Sequence, residues 1–362
     1  MGSKVERYGV GVIGTGAVAR KHARAYRNIG YDLVVCAGRD RERARVFADQ
    51  HGCEWHGEWQ QLCQDSRVDF VDVCTLPDFR LEPVMVCAEI GKAVLIEKPM
   101  ATNLETARQI LDVARAAGIV LGVVSQHRFD ESSQFLKRAI ETGRLGMMLQ
   151  ADAYVKWYRP QEYYSPPKKG SWAGEGGGAL ITQAIHQADL LLWLAGPVKH
   201  VSAEWQLGAI HEIESEDVLN AILRYSSGAT GVIQASTALR PGQPERMEIH
   251  GTSGTAVVTG DKLTTWQVGG DSGELPPIAD ALASGSSDPM AISVVPFERQ
   301  FLEFGRAIRE GRAPLVSAEE GYRALELVEA IYRSCREERR IPIAEQPRCQ
   351  SSPRRPDRAH PP

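Results

Sequence analysis

The chain of 362 residues lacks the features that distinguish membrane, secreted and nucleic-acid-binding proteins. No stretch approaches the roughly 18 uninterrupted apolar residues of a membrane span, and the N-terminal MGSKVERYGVGVIGTG has no cleavage site typical of a signal peptide. The 42 Lys and Arg do not exceed the 46 Asp and Glu, whereas a nucleic-acid or anionic-membrane surface requires a basic excess. These absences predict a cytoplasmic protein with no nucleic-acid or membrane partner.

Cysteine is also too sparse and irregular to indicate a disulfide framework or a metal centre. There are seven cysteines, an odd number, and no C-x-x-C pair. Cys36, Cys74 and Cys87 lie in apolar runs, where a free cysteine is usually a small core residue. We therefore expect reduced thiols and no metal site.

What the sequence does contain is an alternating pattern in its first part. Dividing the length by about 150 residues per domain suggests two domains. Short β-branched runs alternate with helical patterns, which indicates a parallel sheet covered by helices. The predicted strands are residues 9–13, 33–37, 70–74, 94–96 and 120–124.

After about residue 128 the pattern changes. Strand-like runs follow one another without helices between them, which predicts an antiparallel or mixed sheet; they are residues 201–207, 218–225, 230–236, 246–250 and 255–258. Helices are predicted at 131–141, 179–194, 297–308 and 322–331, and a long loop at 269–289. The expected domains are thus 1–126 and 127–345, followed by a disordered tail, 346–362.

The first predicted strand leads into a G-x-G-x-x-A fingerprint, Gly14 to Ala19, that opens a helix. Gly14 permits a tight turn, and Gly16 lets a pyrophosphate approach the backbone at the helix N-terminus. Ala17 and Val18 lie in the same motif and are also expected to contact the cofactor. The motif alone could be an ordinary tight turn, but the strand–turn–helix context predicts a site for NAD or NADP.

The end of the second predicted strand bears on the choice between these cofactors. Gly38 stands about where an acidic residue would bind the ribose of NAD, and Arg39 follows it. A guanidinium without a competing carboxylate can pair with a 2′-phosphate, which favours NADP. Alternatively, Arg39 only stacks on adenine and Asp40 contacts the ribose.

Two further segments carry residues suited to proton chemistry. Glu97-Lys98-Pro99 ends a predicted parallel strand, so Lys98 points into the crevice where ligands bind, unless the motif is only a solvated strand end. On the apolar helix 179–194, Thr182, His186 and Asp189 are spaced i, i+4 and i+7 and share one face at 100° per residue. This stripe predicts a substrate wall, whereas a lone histidine would more often be a core residue.

Together these motifs resemble the Gfo/Idh/MocA family of glucose–fructose oxidoreductase and inositol dehydrogenase type, over nearly the whole chain. Thr75-Leu76-Pro77 is similar to the family's cofactor-contacting turn, Glu97-Lys98-Pro99 to its hallmark tripeptide, and His186-Gln187-Ala188-Asp189 to its H-x-x-D. The resemblance implies an α/β fold: an N-terminal Rossmann domain, then an α+β domain with a large open, mostly antiparallel sheet. It also implies a homodimer or homotetramer formed through the exposed sheet face.

The resemblance further implies hydride transfer between a nicotinamide and a carbon that bears a sugar or cyclitol hydroxyl. Lys98 and His186 fall at the family's catalytic positions, His186 as the base and Lys98 as the donor to the reacting oxygen. Many relatives have Asp where this chain has Thr182, whose hydroxyl can only hydrogen-bond the imidazole. Lys98 therefore remains an alternative principal acid/base. Glu97 and Gln126 are expected at the cofactor, and Gln183 at the substrate.

Residues 152–178 are most similar to the branch that contains nucleotide-sugar 3-dehydrogenases. The side chains that could stack on or donate to a sugar are Tyr158, Arg159, Tyr163, Tyr164 and Trp172. Alternatively, the segment is a structural loop clamped by aromatics.

The expected function is NAD(P)-dependent oxidation, at C3, of a sugar, nucleotide sugar, or cyclitol or aminoglycoside-type glycoside. Such a ketone could supply amino-sugar or antibiotic biosynthesis. An NAD-dependent glycosidase of the same fold and a cofactor-sensing protein without turnover are the alternatives. A sensor would need neither Lys98 nor His186.

Overall fold

The computed structural model describes residues 7–270, 284, 286 and 293–344. The predicted tail 346–362 lies outside the described residues, as does nearly all of the predicted loop 269–289. Within the described part, no helix combines the length and the apolar content that a membrane crossing requires.

The first part of the chain forms a six-stranded parallel sheet. Its strands are β1 (Gly9–Ile13), β2 (Asp32–Ala37), β3 (Glu54–His56), β4 (Phe70–Val73), β5 (Ala93–Ile96) and β6 (Leu121–Val123). The connecting helices are α1 (Ala17–Ile29), α2 (Arg41–His51), α3 (Trp59–Gln64), α4 (Leu81–Glu89) and α5 (Leu104–Ala117). The strand order is β3-β2-β1-β4-β5-β6, and all neighbouring strands are parallel. The chain adds β2 and β3 on one side of β1 and then β4, β5 and β6 on the other side. This order confirms the predicted Rossmann fold and puts a ligand crevice at the carboxyl ends of β1 and β4.

All five strands predicted for this part are present, with ends that differ by no more than one residue. Their β-branched residues are buried on both faces of the sheet, which is why the signal is strong. The prediction omits β3. This edge strand has three residues, none of them fully buried, and so carries no hydrophobic pattern.

The second part begins with a 3₁₀ turn (Gln126–Phe129) and α6 (Glu131–Glu141), then forms an eight-stranded sheet. Its strands are β7 (Met148–Lys156), β8 (Val198–Leu207), β9 (Glu216–Tyr225), β10 (Thr230–Ser236), β11 (Arg246–Gly251), β12 (Gly254–Thr259), β13 (Lys262–Val268) and β14 (Ile341–Pro342). The order is β13-β12-β11-β7-β10-β9-β8-β14, and every neighbouring pair is antiparallel except β7 with β10. This confirms the mostly antiparallel sheet.

The helices of the second part bring the chain back onto the first. The short α7 (Trp172–Glu175) precedes a π-helical turn (Leu180–Ala184) that continues into α8 (Ile185–Ala195). Both α8 and α10 (Ala318–Glu337) pack on the second sheet. In contrast, α9 (Val295–Glu310) packs Phe301 and Phe304 against Val10, Tyr26 and Phe70 of the first sheet and α1. The last third of the chain therefore contributes to the core beneath the crevice.

The predicted small core residues are where the sequence analysis expects them. Cys36, Cys74 and Cys87 are buried free thiols.

Candidate active site

A cleft of about 1250 Å³ lies between the carboxyl ends of the first sheet's strands and the second part of the chain. It is lined by every residue that the sequence analysis expects at the cofactor: Gly14, Gly16, Ala17, Val18, Gly38, Arg39, Thr75, Leu76, Pro77, Glu97, Lys98 and Gln126. Both expected catalytic residues, Lys98 and His186, line the same cleft. The fold thus brings together segments that lie far apart in the chain.

The loop after β1 fits a pyrophosphate. Gly14 has φ +98°, and a Cβ there would lie 2.9 Å from the backbone of Cys74, so the turn requires glycine. A Cβ on Gly16 would meet nothing within 4 Å, so the backbone is open to the cleft. No described side chain caps the N-terminus of α1, whose first N–H groups remain available to an anion.

The far end of the cleft is basic. Arg39, Arg41 and Arg43 are exposed on its rim, and Arg41 forms an ion pair with Glu58 at 3.5 Å. Asp40 accepts a hydrogen bond from the backbone N–H of Arg43 at 3.1 Å, so its carboxylate caps α2. Of these three arginines the sequence predicts only Arg39 at the cofactor, because Arg41 and Arg43 reach the cleft only through the start of α2.

Lys98 lies in the turn after β5, separated from the strand by Glu97. Its ammonium donates to the backbone carbonyl of Thr182 at 2.7 Å. Burial lowers the pKa of Lys98 to about 8, and the charges of Arg80 and Lys169 act in the same direction. Glu97 and Glu175 act in the opposite direction. A lysine with this pKa can both accept and donate a proton near neutral pH, as acid–base catalysis requires.

Thr182 lies in the π-helical turn, a form of helix often found at functional sites. From the sequence, its hydroxyl could bond the imidazole of His186, but in the structure the hydroxyl donates to the carbonyl of Gly178 at 2.7 Å. The backbone carbonyl of Thr182 contacts Lys98 instead. The residue therefore supports the lysine rather than the histidine.

His186 presents a neutral imidazole to the cleft. Its Nδ1 is buried and has no hydrogen-bond partner among the described residues. Burial lowers the pKa of His186 well below its usual range, and the charges of Lys98 and His127 add to this. The His127 ring lies edge-on to it at 5.1 Å. Because the imidazolium form is strongly disfavoured, His186 is a weaker base than Lys98 here.

Asp189 does not line the cleft with Thr182 and His186, which is a correction to the predicted stripe. Both of its carboxylate oxygens accept from the buried guanidinium of Arg128, at 2.6 and 2.7 Å. The π-helical turn changes the position of Thr182 relative to α8. His186 and Asp189 both lie on α8, where a spacing of three residues leaves them about 60° apart.

The aromatic side chains of residues 152–178 fall into two groups: some line the cleft, as sugar-binding residues would, and others serve as a structural clamp. Arg159 and Tyr163 line the cleft, as expected of substrate-binding residues. Tyr158, Tyr164 and Trp172 do not, and they stabilise the segment instead. Their contacts are the guanidinium of Arg240 over the ring of Tyr158, the hydroxyl of Thr237 on that of Tyr164, and the rings of Trp205 and Tyr332 against Trp172.

The wall of the cleft that the second part of the chain provides combines ring faces with hydrogen-bonding groups. The guanidinium of Arg159 lies 4.9 Å from the ring of Trp157 and 5.5 Å from that of Tyr163. Gln183 donates to the Tyr163 hydroxyl at 2.9 Å, and the ammonium of Lys169 lies 3.8 Å from the same ring. Trp157 and Lys169 are not among the predicted site residues, although both belong to the segment 152–178 from which those residues come.

A buried ion-paired cluster beneath the cleft holds Glu97. His22 on α1 contacts Asp72 at 2.8 Å through Nδ1 and Glu97 at 3.1 Å through Nε2. Burial by itself lowers the pKa of His22. The electrostatic interactions and hydrogen bonds with Cys74 and Asp72 outweigh burial and raise this pKa well above its usual range. The other oxygen of Glu97 accepts from the N–H of Lys98 at 2.9 Å. Glu97 therefore fixes the turn, a role that no short sequence pattern indicates.

Two family models match the chain, one for each of its two parts. Residues 8–125 match the oxidoreductase family with an NAD-binding Rossmann fold. Residues 133–257 match the GFO/IDH/MocA C-terminal domain. The first match covers the six-stranded sheet, and the second covers most of the eight-stranded sheet and the helix that carries His186.

Individual proteins resemble the chain over nearly its full length. The myo-inositol 2-dehydrogenase of Thermotoga maritima is 28% identical over 93% of this chain and 98% of its own length. The WlbA dehydrogenase of Bordetella pertussis, solved with NADH and UDP-GlcNAcA, is 28% identical with a TM-score of 0.82, covering 94% of this chain and 100% of that one. A levoglucosan dehydrogenase solved with NADH and levoglucosan has a TM-score of 0.84 over 94% of this chain and 100% of its own; at 22% identity it shows the fold alone.

Proposed function

Because the chain belongs to the GFO/IDH/MocA oxidoreductase family, we propose that it oxidises a secondary hydroxyl of a sugar-like substrate with a nicotinamide dinucleotide. The observation that carries this proposal is the position of Lys98 and His186 on the wall of the cleft that also contains the Gly14–Gly16 turn. One cleft thus offers a dinucleotide cradle, a proton acceptor and stacking surfaces.

The substrate that we propose is a nucleotide sugar, oxidised at C3, with a cyclitol or aminoglycoside-type glycoside as the next class. The aromatic rings of Trp157 and Tyr163 suit a pyranose face, and Arg159, Lys169 and Gln183 suit its polar substituents. The WlbA dehydrogenase, solved with a UDP-sugar, supports a nucleotide-sugar substrate.

The residues around the cleft fit the cofactor. The Gly16 backbone and the N-terminus of α1 would hold the pyrophosphate, and Thr75, Leu76 and Pro77 would contact the rest of the dinucleotide. When the dinucleotide is bound there, its nicotinamide ring would accept the hydride. Arg39 beside Gly38 favours NADP, since a Cβ at position 38 would lie 3.1 Å from Thr15 Oγ1 and leave little room for an acidic side chain.

We assign the proton transfer to Lys98. In its neutral form, Nζ accepts the proton of the substrate hydroxyl, and the resulting ammonium is stabilised by the Thr182 carbonyl. Burial keeps His186 neutral, so it orients the hydroxyl by a hydrogen bond and does not act as the base. We choose Lys98 over His186 because Lys98 can take up a proton near neutral pH, whereas the imidazolium form of His186 is strongly disfavoured.

The test is absorbance at the reduced-nicotinamide band with purified protein and NAD or NADP. The substrate panel holds UDP-sugars, inositols, free sugars and aminoglycoside-type pseudosaccharides. We expect reduction with one class, with NADP preferred. Tight nucleotide binding with no reduction across the panel would contradict the proposal, and release of free sugar without net reduction would identify a glycosidase.

We also propose that the uncovered face of the second sheet joins copies of the chain into a homodimer or homotetramer. Ile222 on β9 is 63% exposed on this face. Sedimentation velocity should give an oligomer that Ile222→Asp weakens. A monomer at micromolar concentration would contradict this.

A further inference from the structure

Arg80 is a buried arginine whose two terminal guanidinium nitrogens donate to backbone carbonyls at and near Lys98, while its Nε has no hydrogen-bond partner among the described residues. It directly precedes α4 and is 2% exposed. Nη1 donates to the carbonyls of Glu97 and Pro99. Nη2 donates to the carbonyl of Thr75 at 2.9 Å and to that of Lys98 at 3.4 Å. One guanidinium thus joins the turn after β4 to the turn after β5.

Only an arginine can make this set of contacts. Its planar fork presents several N–H groups in fixed directions, whereas a lysine ammonium is a single point of charge on a flexible stem. The backbone carbonyls stabilise the buried cation but do not neutralise it. Burial lowers the pKa of Arg80 to about 10, so the group is charged at neutral pH.

We propose that Arg80 is a positioning residue for the proton-transfer step: it fixes the backbone of the Glu97-Lys98-Pro99 turn and places a permanent positive charge beside the Lys98 ammonium. This inference rests on the proposed function, because it acts through Lys98. The fixed backbone directs Nζ toward the Thr182 carbonyl across the cleft. The charge increases the neutral, proton-accepting fraction of Lys98.

The charges around Lys98 come from several elements. Arg80 and Lys169 favour the neutral amine, while Glu97 and Glu175 favour the ammonium. The neutral His186 and the His127–Asp130 pair face it from the second part of the chain. With Glu97 so close, loss of the Arg80 charge would leave the lysine beside an acidic group, and the ammonium would be favoured.

Two substitutions separate the geometric effect from the charge effect. Arg80→Gln removes the charge and most of the contacts, whereas Arg80→Lys keeps the charge but cannot reach all four carbonyls. Arg115→Gln, a surface arginine paired with Glu319, is the matched control. Lys98 is titrated by NMR of protein labelled at the lysine side chains, with Lys98→Met to assign its signal.

We expect Arg80→Gln to raise the pKa of Lys98 by about half a unit or more. Arg80→Lys should leave that pKa within about 0.2 units but lower kcat about 10- to 100-fold, with little change in KM. An unchanged Lys98 pKa in folded Arg80→Gln overturns the charge role. Should Arg80→Gln not fold, wild-type kcat in Arg80→Lys overturns the positioning role.

The NMR titration needs no substrate. If the wild-type protein turned over nothing in the panel, the proposed function would fail, while the effect of Arg80 on Lys98 would still be measured. The failure of one proposal is therefore distinguishable from the failure of the other.

Discussion

The ammonium nitrogen of Lys98 lies 2.7 Å from the backbone carbonyl oxygen of Thr182, although 84 residues separate them in the chain. Lys98 lies in the turn after β5 of the first sheet, and Thr182 lies in the π-helical turn that leads into α8, the helix that carries His186. This hydrogen bond links the two parts of the protein at the point where we place the chemistry. It connects the proposed proton acceptor to the helix that we propose as the substrate wall.

Lys98→Met should abolish turnover and leave nucleotide binding intact. The substitution keeps the length of the side chain but removes the group that takes the proton, so kcat should fall by about 10²- to 10⁴-fold. Turnover is measured by nicotinamide absorbance and affinity by calorimetry. Lys199→Met, at an exposed lysine, is the control. Turnover by the Lys98 variant at the wild-type rate would refute the mechanism.

The pH dependence should distinguish the two candidate bases. Because Lys98 has a pKa of about 8 and must be neutral to accept a proton, kcat/KM for oxidation should rise with pH and level off above about 8. In the reducing direction the ammonium donates, so the rate should fall above that pH. His186→Gln should lower the plateau without moving the midpoint. A flat profile between about pH 7 and 9 would point to His186, which is already neutral there.

The two glycines of the fingerprint should respond differently to alanine. A Cβ at Gly16 meets no protein atom, so Gly16→Ala should change the free energy of unfolding by less than about 0.5 kcal/mol. It should nevertheless weaken nucleotide binding about 10-fold or more, because the methyl group occupies the pyrophosphate's approach. Gly14→Ala, at φ +98°, should cost about 1–3 kcal/mol of stability. Chemical denaturation and calorimetry give both values. Equal binding by Gly16→Ala and wild type would count against the cradle.

Arg39 should set the choice of cofactor. Arg39→Asp replaces a partner of the 2′-phosphate with a repelling charge, so the ratio of kcat/KM for NADP to that for NAD should fall about 10-fold or more. The same change at the exposed Arg138, away from the cleft, should leave the ratio unchanged. A ratio that is the same in Arg39→Asp and wild type would favour the alternative in which Arg39 only stacks on adenine.

Asp189 should matter for stability rather than for substrate affinity. Asp189→Ala leaves the buried guanidinium of Arg128 without its bidentate partner, and breaking such a pair costs about 3–5 kcal/mol. Denaturant unfolding measures the loss. KM for the substrate should stay within about twofold in the folded variant, whereas a large rise in KM at unchanged stability would restore Asp189 to the substrate wall.

Features of the sequence that act over a few residues predicted the structure well. The glycine at position 14 and the β-branched runs of the first sheet limit the backbone locally, so they identify the cradle and five strands. The prediction of the second sheet omits β13 and β14, and it also omits β7. This strand includes the buried Asp152, which accepts from the N–H of Val232 at 2.9 Å on the neighbouring strand. Asp152 stands at a polar position between the buried Ala151, Ala153 and Val155, so the alternation is present, but alanine is depleted in strands and the strand signal is therefore weak.

The sequence by itself determined the family, the order of the two parts and the segments that supply the cleft. Only the tertiary structure decided which side chains of those segments face it. Trp172 and Asp189 turn away because Tyr332 and Arg128, far along the chain, provide better partners for a buried ring and a buried carboxylate. Arg80 acts at Lys98 because two parallel strands end side by side. Packing and ion pairing between remote segments set these orientations, and no local pattern encodes them.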